Sequence, residues 1–408
     1  MSQPPLSVTR VATLDGLRGV AAFVVIISHV IAGFFPALYF GAEGNAGVAI
    51  QDAIAKSPAF VLYSGTFAVY VFFVLSGFVI AASATRAKCG LPLLAATRYL
   101  RLAVPITVSV LLAFALNKLF SDVPQRAGAA VGNNFWLKFM YQPLGVPLRH
   151  ALGEAFYGVF VSGLSYFNNV LWTMRIELAG SLGIYALYSI FGRRARVAAL
   201  VIATLWLAFG TREWPASLLG FTLGALLFEA RQHGWPHPNA LAAAILIPAG
   251  LFFGGLPYVP AQGTLYEAIA AAIDRVSPVS STMRTLGAVA LLTGILCSRR
   301  SQTFLDARLP QFLGRISFAL YLVHLPLLCF GLSELYLHFG RYDPRAMALS
   351  IACYIAVSIG LAYAFTLWID EPTVRILGRV KKIGSAWPHG GCACGFAQTE
   401  SAGNCEVA

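Results

Sequence analysis

Apolar residues are gathered into long runs along this 408-residue chain, and short polar segments separate the runs. Many runs extend over about 18 to 25 residues, the length that a helix needs to cross a hydrocarbon core of roughly 30 Å. The pattern predicts an all-α polytopic membrane protein with about ten transmembrane helices. The predicted spans are 12–35, 60–83, 102–120, 171–191, 197–210, 214–230, 240–257, 284–298, 316–337 and 346–369.

Charged residues are too few for a water-soluble fold of this size. They make up 11% of the chain, and 58% of the residues are hydrophobic, whereas soluble domains have about 25% charged residues. The first apolar run contains Asp15 and Arg18, and no convincing small-residue cleavage site follows it. We therefore expect a retained helix rather than a signal peptide.

The basic residues predict how the chain is oriented. Arginines and lysines cluster in every second segment between the predicted spans, which places those segments and both termini in the cytoplasm. Segment 121–170 is then a long extracytoplasmic loop, in which the apolar stretch 151–165 is interpreted as re-entrant or interfacial. This asymmetry accounts for the net charge of +12 without nucleic acid. We expect a multi-pass protein of the bacterial inner membrane.

The C-terminal segment 376–408 is predicted to be a disordered cytoplasmic tail. It is rich in glycine near its end and contains a group of potential metal ligands, His389, Cys392, Cys394 and Cys405. Their spacing does not fit a common metal site, so no metal is predicted.

The first predicted helix carries ionisable residues, which are costly inside a membrane and often functional. Arg18 and His29 are eleven residues apart, close to three helical turns, so they lie on one face with roughly 16 Å between them. An arginine near the cytoplasm and a neutral imidazole deeper in suit a long anionic donor such as coenzyme A. Alternatively, Arg18 is a snorkelling anchor and His29 a structural histidine.

Three further groups of residues each allow a structural and a functional interpretation. Ser76 and Gly77 in the second span permit close helix packing, which we favour for that pair alone. Arg98 and Arg101 lie one helical turn apart before the third span and can face one anion, or simply mark the cytoplasmic side.

The fourth span begins with an interfacial tryptophan, Trp172, and contains Glu177 near Arg175. A neutralised structural carboxyl group is the alternative to a functional Glu177.

Six segments together resemble the acyltransferase family 3 membrane proteins. Each is weak alone, but they follow the family's order over about residues 12 to 372. They are Leu14-Asp15-Gly16-Leu17-Arg18-Gly19 with His29; Gly65 to Phe78; Arg98-Tyr99-Leu100-Arg101 with Pro105; Leu171-Trp172-Thr173-Met174 with Glu177; Gly314 to Pro326, which includes His324; and Glu371-Pro372.

The resemblance implies that residues 1–375 form a transmembrane acyltransferase domain. Such proteins transfer an acyl group, most often acetyl, from a cytoplasmic thioester to a hydroxyl group of a carbohydrate or lipid-linked glycan. Acetyl-CoA or another acyl-CoA is then a co-substrate, and no bound cofactor is expected. The partners are the donor, the acceptor and the membrane lipids.

The resemblance also implies roles for individual residues. His29 would be the catalytic base, and Glu177 matches the family's acidic residue after the tryptophan motif. Arg18, Arg86, Arg98 and Arg101 would bind the donor. Residues of the supporting motifs are Asp15, Ser76, Gly77, Trp172 and His324.

One position departs from the family pattern. Tyr70 stands between Val69 and Val71 where the family often has an acidic residue. The charge pattern of the second helix is therefore left open.

The predicted mechanism is direct transfer, in which neutral His29 takes the proton of the acceptor hydroxyl as it attacks the thioester. A covalent acyl-histidine intermediate is the variant mechanism. A membrane transporter or flippase for acylated lipids or glycans is the alternative function, although no internal repeat is found. An inactive scaffold is a third interpretation.

Overall fold

The computed structural model describes residues 12–41, 49–141, 145–163, 165–209, 216–258, 261–275 and 278–386. Within these ranges all regular structure is helical. The long helices are α1 (Ala12–Phe34), α2 (Gly65–Thr85), α3 (Leu91–Leu119), α4 (Trp172–Ile190), α5 (Arg193–Ala208), α6 (Leu219–Gln232), α7 (Ala240–Gly254), α8 (Val279–Cys297), α9 (Arg308–Pro326), α10 (Pro344–Phe365) and α11 (Glu371–Ala386).

Short helices connect and cover these long ones. They are Pro36–Phe40, Ala49–Ala55, Val123–Ala130, Phe135–Met140, Leu148–Gly153, Glu267–Asp274 and Arg299–Leu305. π-helical turns extend α9 to Gly340 and join α10 to α11.

The all-α membrane fold predicted from the apolar pattern is confirmed. Among the described residues, six helices are long and apolar enough to cross a membrane: α1, α2, α3, α8, extended α9 and extended α10. Helices α4 to α7 coincide with the other four predicted spans but fall short of those criteria. The count of ten crossings and the cytoplasmic placement of both termini therefore stay predictions.

Helix α1 lies between α2 and α9 and makes backbone contact with α9 through glycine. A Cβ atom added at Gly19 would lie 2.3 Å from the backbone nitrogen of Gly314. Helix α2 meets α6 in the same way, because a Cβ at Gly77 would lie 2.2 Å from the carbonyl oxygen of Phe221. Small residues allow such approach in membrane bundles. The packing role predicted for Gly77 agrees with this contact.

Several helix boundaries differ from those predicted, and the start of α3 is the one that matters for the site. Helix α3 begins at Leu91, eleven residues before the predicted start of the third span, because Gly90 and Pro92 provide a suitable helix start. Arg98 and Arg101 therefore lie within a helix instead of a loop. Pro105 lies inside the same helix.

The predicted disordered tail is also different in its first part. Residues 376–386 continue α11, an amphipathic helix whose apolar and basic positions recur at helical spacing. The π-turn Thr366–Asp370 shifts the hydrogen-bonding register before Pro372, so the proline does not end the helical rod. Residues 387–408, with the four potential metal ligands, lie outside the described residues.

The contact at Gly77 predicts a difference between two glycine-to-alanine variants. Gly77→Ala should destabilise the protein by about 1–3 kcal/mol, because its new methyl group collides with backbone. Gly183→Ala, on an exposed face of α4 with no atom near the added methyl group, should leave stability unchanged or slightly raised. Thermal unfolding of the purified proteins in detergent measures both. Equal melting temperatures would contradict the packing assignment.

Candidate active site

Two adjoining cavities open where α1, α3 and α9 meet; α2 and α4 complete the central cavity, and the π-turn Thr366–Asp370 and α11 complete the entrance cavity. The central cavity has a volume of about 250 Å³ and is lined by Arg18, Val69, Phe72, Phe73, Ser76, Arg98, Arg101, Leu102, Thr173, Met174, Glu177, Ser317, Phe318 and Tyr321. The entrance cavity, of about 790 Å³, includes Asp15, Arg315, Asp370, Glu371 and Arg375. Arg18, Arg101, Ser317 and Phe318 line both cavities, so these four mark the junction between them.

Arg18 is the unusual cation at this junction. Among the described residues, no hydrogen bond involves its guanidinium group and no carboxylate lies within ion-pair distance. Asp15, one turn earlier on α1, and Glu177 act on it only through longer-range attraction. A cation in such a place favours a negatively charged ligand in the cavities.

Arg98 and Glu177 form an ion pair on the wall of the central cavity. Ser76 donates a hydrogen bond to Oε1 of Glu177 at 2.9 Å, and Nε of Arg98 donates to Ser181 at 3.0 Å. The carboxylate of Glu177 is thus held by two helices besides its own. Ser76, whose sequence context favours packing, supports this charge.

Arg101 is neutralised by a residue that the sequence interpretation did not single out. Its guanidinium makes a two-pronged contact with Asp370, at the end of the π-turn after α10. Beside it, Nε of Arg315 donates to Oε1 of Glu371 at 2.8 Å. The adjacent acidic pair Asp370-Glu371 at the end of the last apolar run was the available signal, because carboxylates there need cationic partners.

His29 is paired with His324, and the hydrogen bonds define the tautomer of both. Nδ1 of His324 lies 3.0 Å from the carbonyl oxygen of Leu320, to which it can only donate. In a neutral His324, Nε2 is then an acceptor, and Nδ1 of His29 donates to it at 2.8 Å. The Nε2 atom of neutral His29 therefore carries a lone pair and has no hydrogen-bond partner among the described residues. That atom is suited to act as a base.

Segment 121–170 covers this histidine pair. Trp136 stacks on the His29 ring, with 5.6 Å between ring centroids. The neighbouring Asn134 donates to the carbonyl oxygens of Ala32 and Gly33 at 2.7 and 2.9 Å. These carbonyls belong to the last turn of α1 and lack partners within it. The segment is thus fixed to the end of the helix that carries His29.

Aromatic rings continue the cover beyond Trp136. Tyr39 contacts Phe40, Phe60 and Tyr258, with ring centroids 4.9 to 5.4 Å apart. Burial raises the pKa of the Tyr39 phenol above its ordinary value, so this group stays neutral to a higher pH than a free tyrosine does. The cover over the histidine pair is therefore largely apolar at this point.

His29 and Glu177 are not brought into contact. Glu177 lines the central cavity, whereas the described contacts of His29 are with His324 and Trp136. Tyr321 stands between the two groups: it lines the central cavity, and its ring centroid lies 5.9 Å from that of His324. Its hydroxyl oxygen lies 2.9 Å from that of Thr173. The charged residues of the central cavity and the histidine pair thus form two neighbouring groups.

The remaining predicted site residues lie apart from these two groups. Arg86 lines a separate cavity with Lys88, Lys381 and Lys382. Trp172 is partly exposed at the start of α4, as an interfacial anchor would be.

Tyr70 is buried and turned toward α8. Its hydroxyl oxygen lies 2.7 Å from that of Ser281 and 3.3 Å from that of Ser217. The departure from the family's acidic residue thus places a neutral hydrogen-bonded group away from both cavities. Within the described ranges, no three His, Cys, Asp or Glu residues are clustered as a metal site requires.

Comparison with known proteins decides the family. A family model described as an acyltransferase domain, that of acyltransferase family 3, matches residues 11–367. The chain belongs to acyltransferase family 3. The match spans every helix of the site except α11, so the chain is an acyltransferase enzyme, and the transporter and scaffold interpretations lose their support.

Named relatives are distant but extend over most of the chain. Acyltransferase R4 of a Phoma species is 25% identical, and the alignment covers 94% of this chain and 98% of the relative. Acyltransferase MdmB of Streptomyces mycarofaciens is 24% identical over 94% and 96% of the two chains. O-acetyltransferase PaAT-1 of Phomopsis amygdali is 24% identical over 89% and 83%. No solved structure matches the chain.

The ion pair in the central cavity predicts non-additive mutational effects. Glu177→Gln should destabilise the protein by roughly 2 kcal/mol or more, because Arg98 is left without its counter-charge. Arg98→Gln in the same molecule should recover part of that loss. Arg126→Gln, which removes two partly exposed ion pairs, with Asp122 and Glu334, is the control, and each of these pairs should contribute less than about 1 kcal/mol. Arg98→Gln alone completes the cycle. Thermal unfolding in detergent of the wild type, both single variants, the double variant and the control measures the coupling, and strictly additive losses would refute the pair.

Proposed function

We propose that this acyltransferase transfers an acetyl or another short acyl group from a cytoplasmic acyl-CoA to a hydroxyl group of a carbohydrate or lipid-linked glycan. One observation carries the proposal: helix α1 holds an unneutralised cation, Arg18, at the cavity junction and an unpartnered base nitrogen on His29 farther along. The O-acetyltransferase PaAT-1 among the relatives is consistent with an oxygen acceptor. The proposed location is the bacterial inner membrane.

Arg18 is proposed to bind the donor by its phosphates. Arg98 and Arg101 are already paired with carboxylates. They therefore contribute hydrogen-bond donors and part of the cavity wall, but little net positive charge. Charge-assisted hydrogen bonds from an arginine to phosphate oxygens are strong when water is scarce. The entrance cavity has the larger volume and is the better place for the bulky nucleotide end.

The chemical step is a nucleophilic acyl substitution. Nε2 of His29 takes the proton of the acceptor hydroxyl as the hydroxyl oxygen attacks the thioester carbonyl carbon. The new C–O bond forms and the C–S bond breaks. The departing coenzyme A thiolate takes the proton from the imidazolium. The products are the O-acyl ester and free coenzyme A, and His29 is neutral again.

His324 is a positioning residue in this scheme. Its Nε2 accepts a hydrogen bond from Nδ1–H of His29, and its own Nδ1–H donates to the carbonyl oxygen of Leu320. This keeps the lone pair of His29 on Nε2 and stabilises the imidazolium that forms during the reaction. The thioester arm would pass Tyr321 to reach the histidine pair.

Loss of the base should remove the chemistry without removing the protein. For His29→Ala we expect acyl transfer to fall by about 10²–10⁴-fold, the usual contribution of a general base. The first measurement is release of the coenzyme A thiol from acetyl-CoA by purified protein, with no ion gradient present. The second is mass spectrometry of glycans from a host that lacks its own copy of the gene and expresses either the wild type or His29→Ala. Normal turnover by His29→Ala would overturn the base assignment.

A pair of substitutions tests the positioning role of His324. His324→Gln keeps a hydrogen-bond acceptor for Nδ1 of His29, whereas His324→Leu removes it. We expect kcat to fall by about tenfold or more in the leucine variant and to be partly recovered in the glutamine variant, because tautomer control is worth several kcal/mol at most. KM for acyl-CoA should be the same in both. A common loss of kcat in the two variants, or a rise in KM, would instead indicate a purely structural role.

A further inference from the structure

A third cavity at the end of α2 is lined by basic residues. Its volume is about 360 Å³, and it is formed by Ser83, Arg86, Ala87, Lys88, Cys89, Leu94, Lys381 and Lys382. We call it the basic cavity. Four of these eight residues are cationic and none is acidic. None of them lines the central or the entrance cavity, so the basic cavity is a separate place for an anion.

Helix α11, which contributes both lysines at positions 381 and 382, has three different sides. Leu377, Lys381 and Gly384 are partly covered, and a Cβ at Gly384 would touch Leu93 of α3. About 100° around the helix, Ile376, Val380 and Ile383 are exposed by 59, 40 and 66%. The third side carries Arg375, Arg379 and Lys382, all exposed.

An exposed apolar stripe next to a basic side is the pattern of a helix that lies in the membrane interface. Along α11, the exposed apolar residues Val380 and Ile383 stand directly before and after the cavity-lining residues Lys381 and Lys382. The apolar side chains can then enter the edge of the hydrocarbon while the lysines face phosphate groups.

We propose that the basic cavity binds the phosphate headgroup of an anionic phospholipid, with its acyl chains beside the apolar stripe of α11. Charge selects the lipid class, because a cavity lined by four cationic residues favours a net negative headgroup over a zwitterionic one. The exposed stripe favours a lipid over a water-soluble phosphate compound, because only the acyl chains of a lipid would cover Ile376, Val380 and Ile383. This binding site is independent of the catalytic proposal.

Native mass spectrometry of the full chain tests the proposal. The protein is released from phosphatidylcholine nanodiscs that contain about one fifth phosphatidylglycerol, and retained lipid is identified. We expect phosphatidylglycerol to be retained by the wild type. Retention should fall by about tenfold in Lys381→Gln/Lys382→Gln, since each basic residue near an anionic surface contributes measurably. Lys381→Arg/Lys382→Arg should retain the lipid, which shows that a loss in the glutamine variant comes from charge and not from misfolding.

A matched control tests whether lipid retention depends on this cavity or on basic residues anywhere on the protein. Arg299→Gln/Arg300→Gln removes two exposed cations elsewhere on the predicted cytoplasmic side, and it should retain phosphatidylglycerol as the wild type does. Equal loss in both glutamine pairs, or equal retention in all variants, would overturn the proposal.

A second arm distinguishes the lipid from the acyl donor. Coenzyme A binding is measured in nanodiscs of phosphatidylcholine alone, where no anionic lipid is present. We expect Lys381→Gln/Lys382→Gln to bind coenzyme A with wild-type affinity. A several-fold loss of coenzyme A affinity would assign the basic cavity to the donor and overturn the lipid proposal.

Discussion

A polar group inside a bilayer has no water to bond with and must find its partner within the protein. This constraint organises the interior of the bundle. Arg98 and Arg101 meet Glu177 and Asp370, and His324 is held at both ring nitrogens. Against this background of paired groups, the guanidinium of Arg18 and Nε2 of His29 stand out because neither has a hydrogen-bond partner among the described residues. In our proposal, substrates supply those partners.

Both groups belong to α1, and this makes the helix the axis of the site. Glycine contacts hold α1 against α9 backbone to backbone, as at Gly19. Asn134 fixes its far end through the final carbonyls. A single helix therefore sets the separation between Arg18 and His29, roughly three turns. The donor's length must match that separation if one molecule is to contact both.

The sequence alone predicted that Arg18 and His29 share a face of α1, because both lie on one helix and their spacing fixes the face. The apolar pattern likewise predicted the helical class and most helix positions. The sequence pattern could not predict partners on different helices. Neither the hydrogen bond from His29 to His324 nor the ion pair of Arg101 with Asp370 follows from spacing within one helix. Such contacts depend on how helices distant in sequence pack together.

The position of Arg86 illustrates the same limit. The family pattern grouped it with Arg98 and Arg101, but α3 begins at Leu91 and carries the latter two away from the end of α2. Helix α11 then brings Lys381 and Lys382 to Arg86. Arg86 therefore lines a different cavity from Arg98 and Arg101, although the three lie close together in the sequence.

Equilibrium binding of coenzyme A to purified protein, followed by calorimetry, tests most directly the claim that α1 binds the donor at one end and activates the acceptor at the other. The account predicts that Arg18→Ala weakens binding by about tenfold or more through loss of a charge-assisted contact, and that His29→Ala leaves affinity unchanged. Wild-type affinity in Arg18→Ala together with a loss in His29→Ala would contradict it.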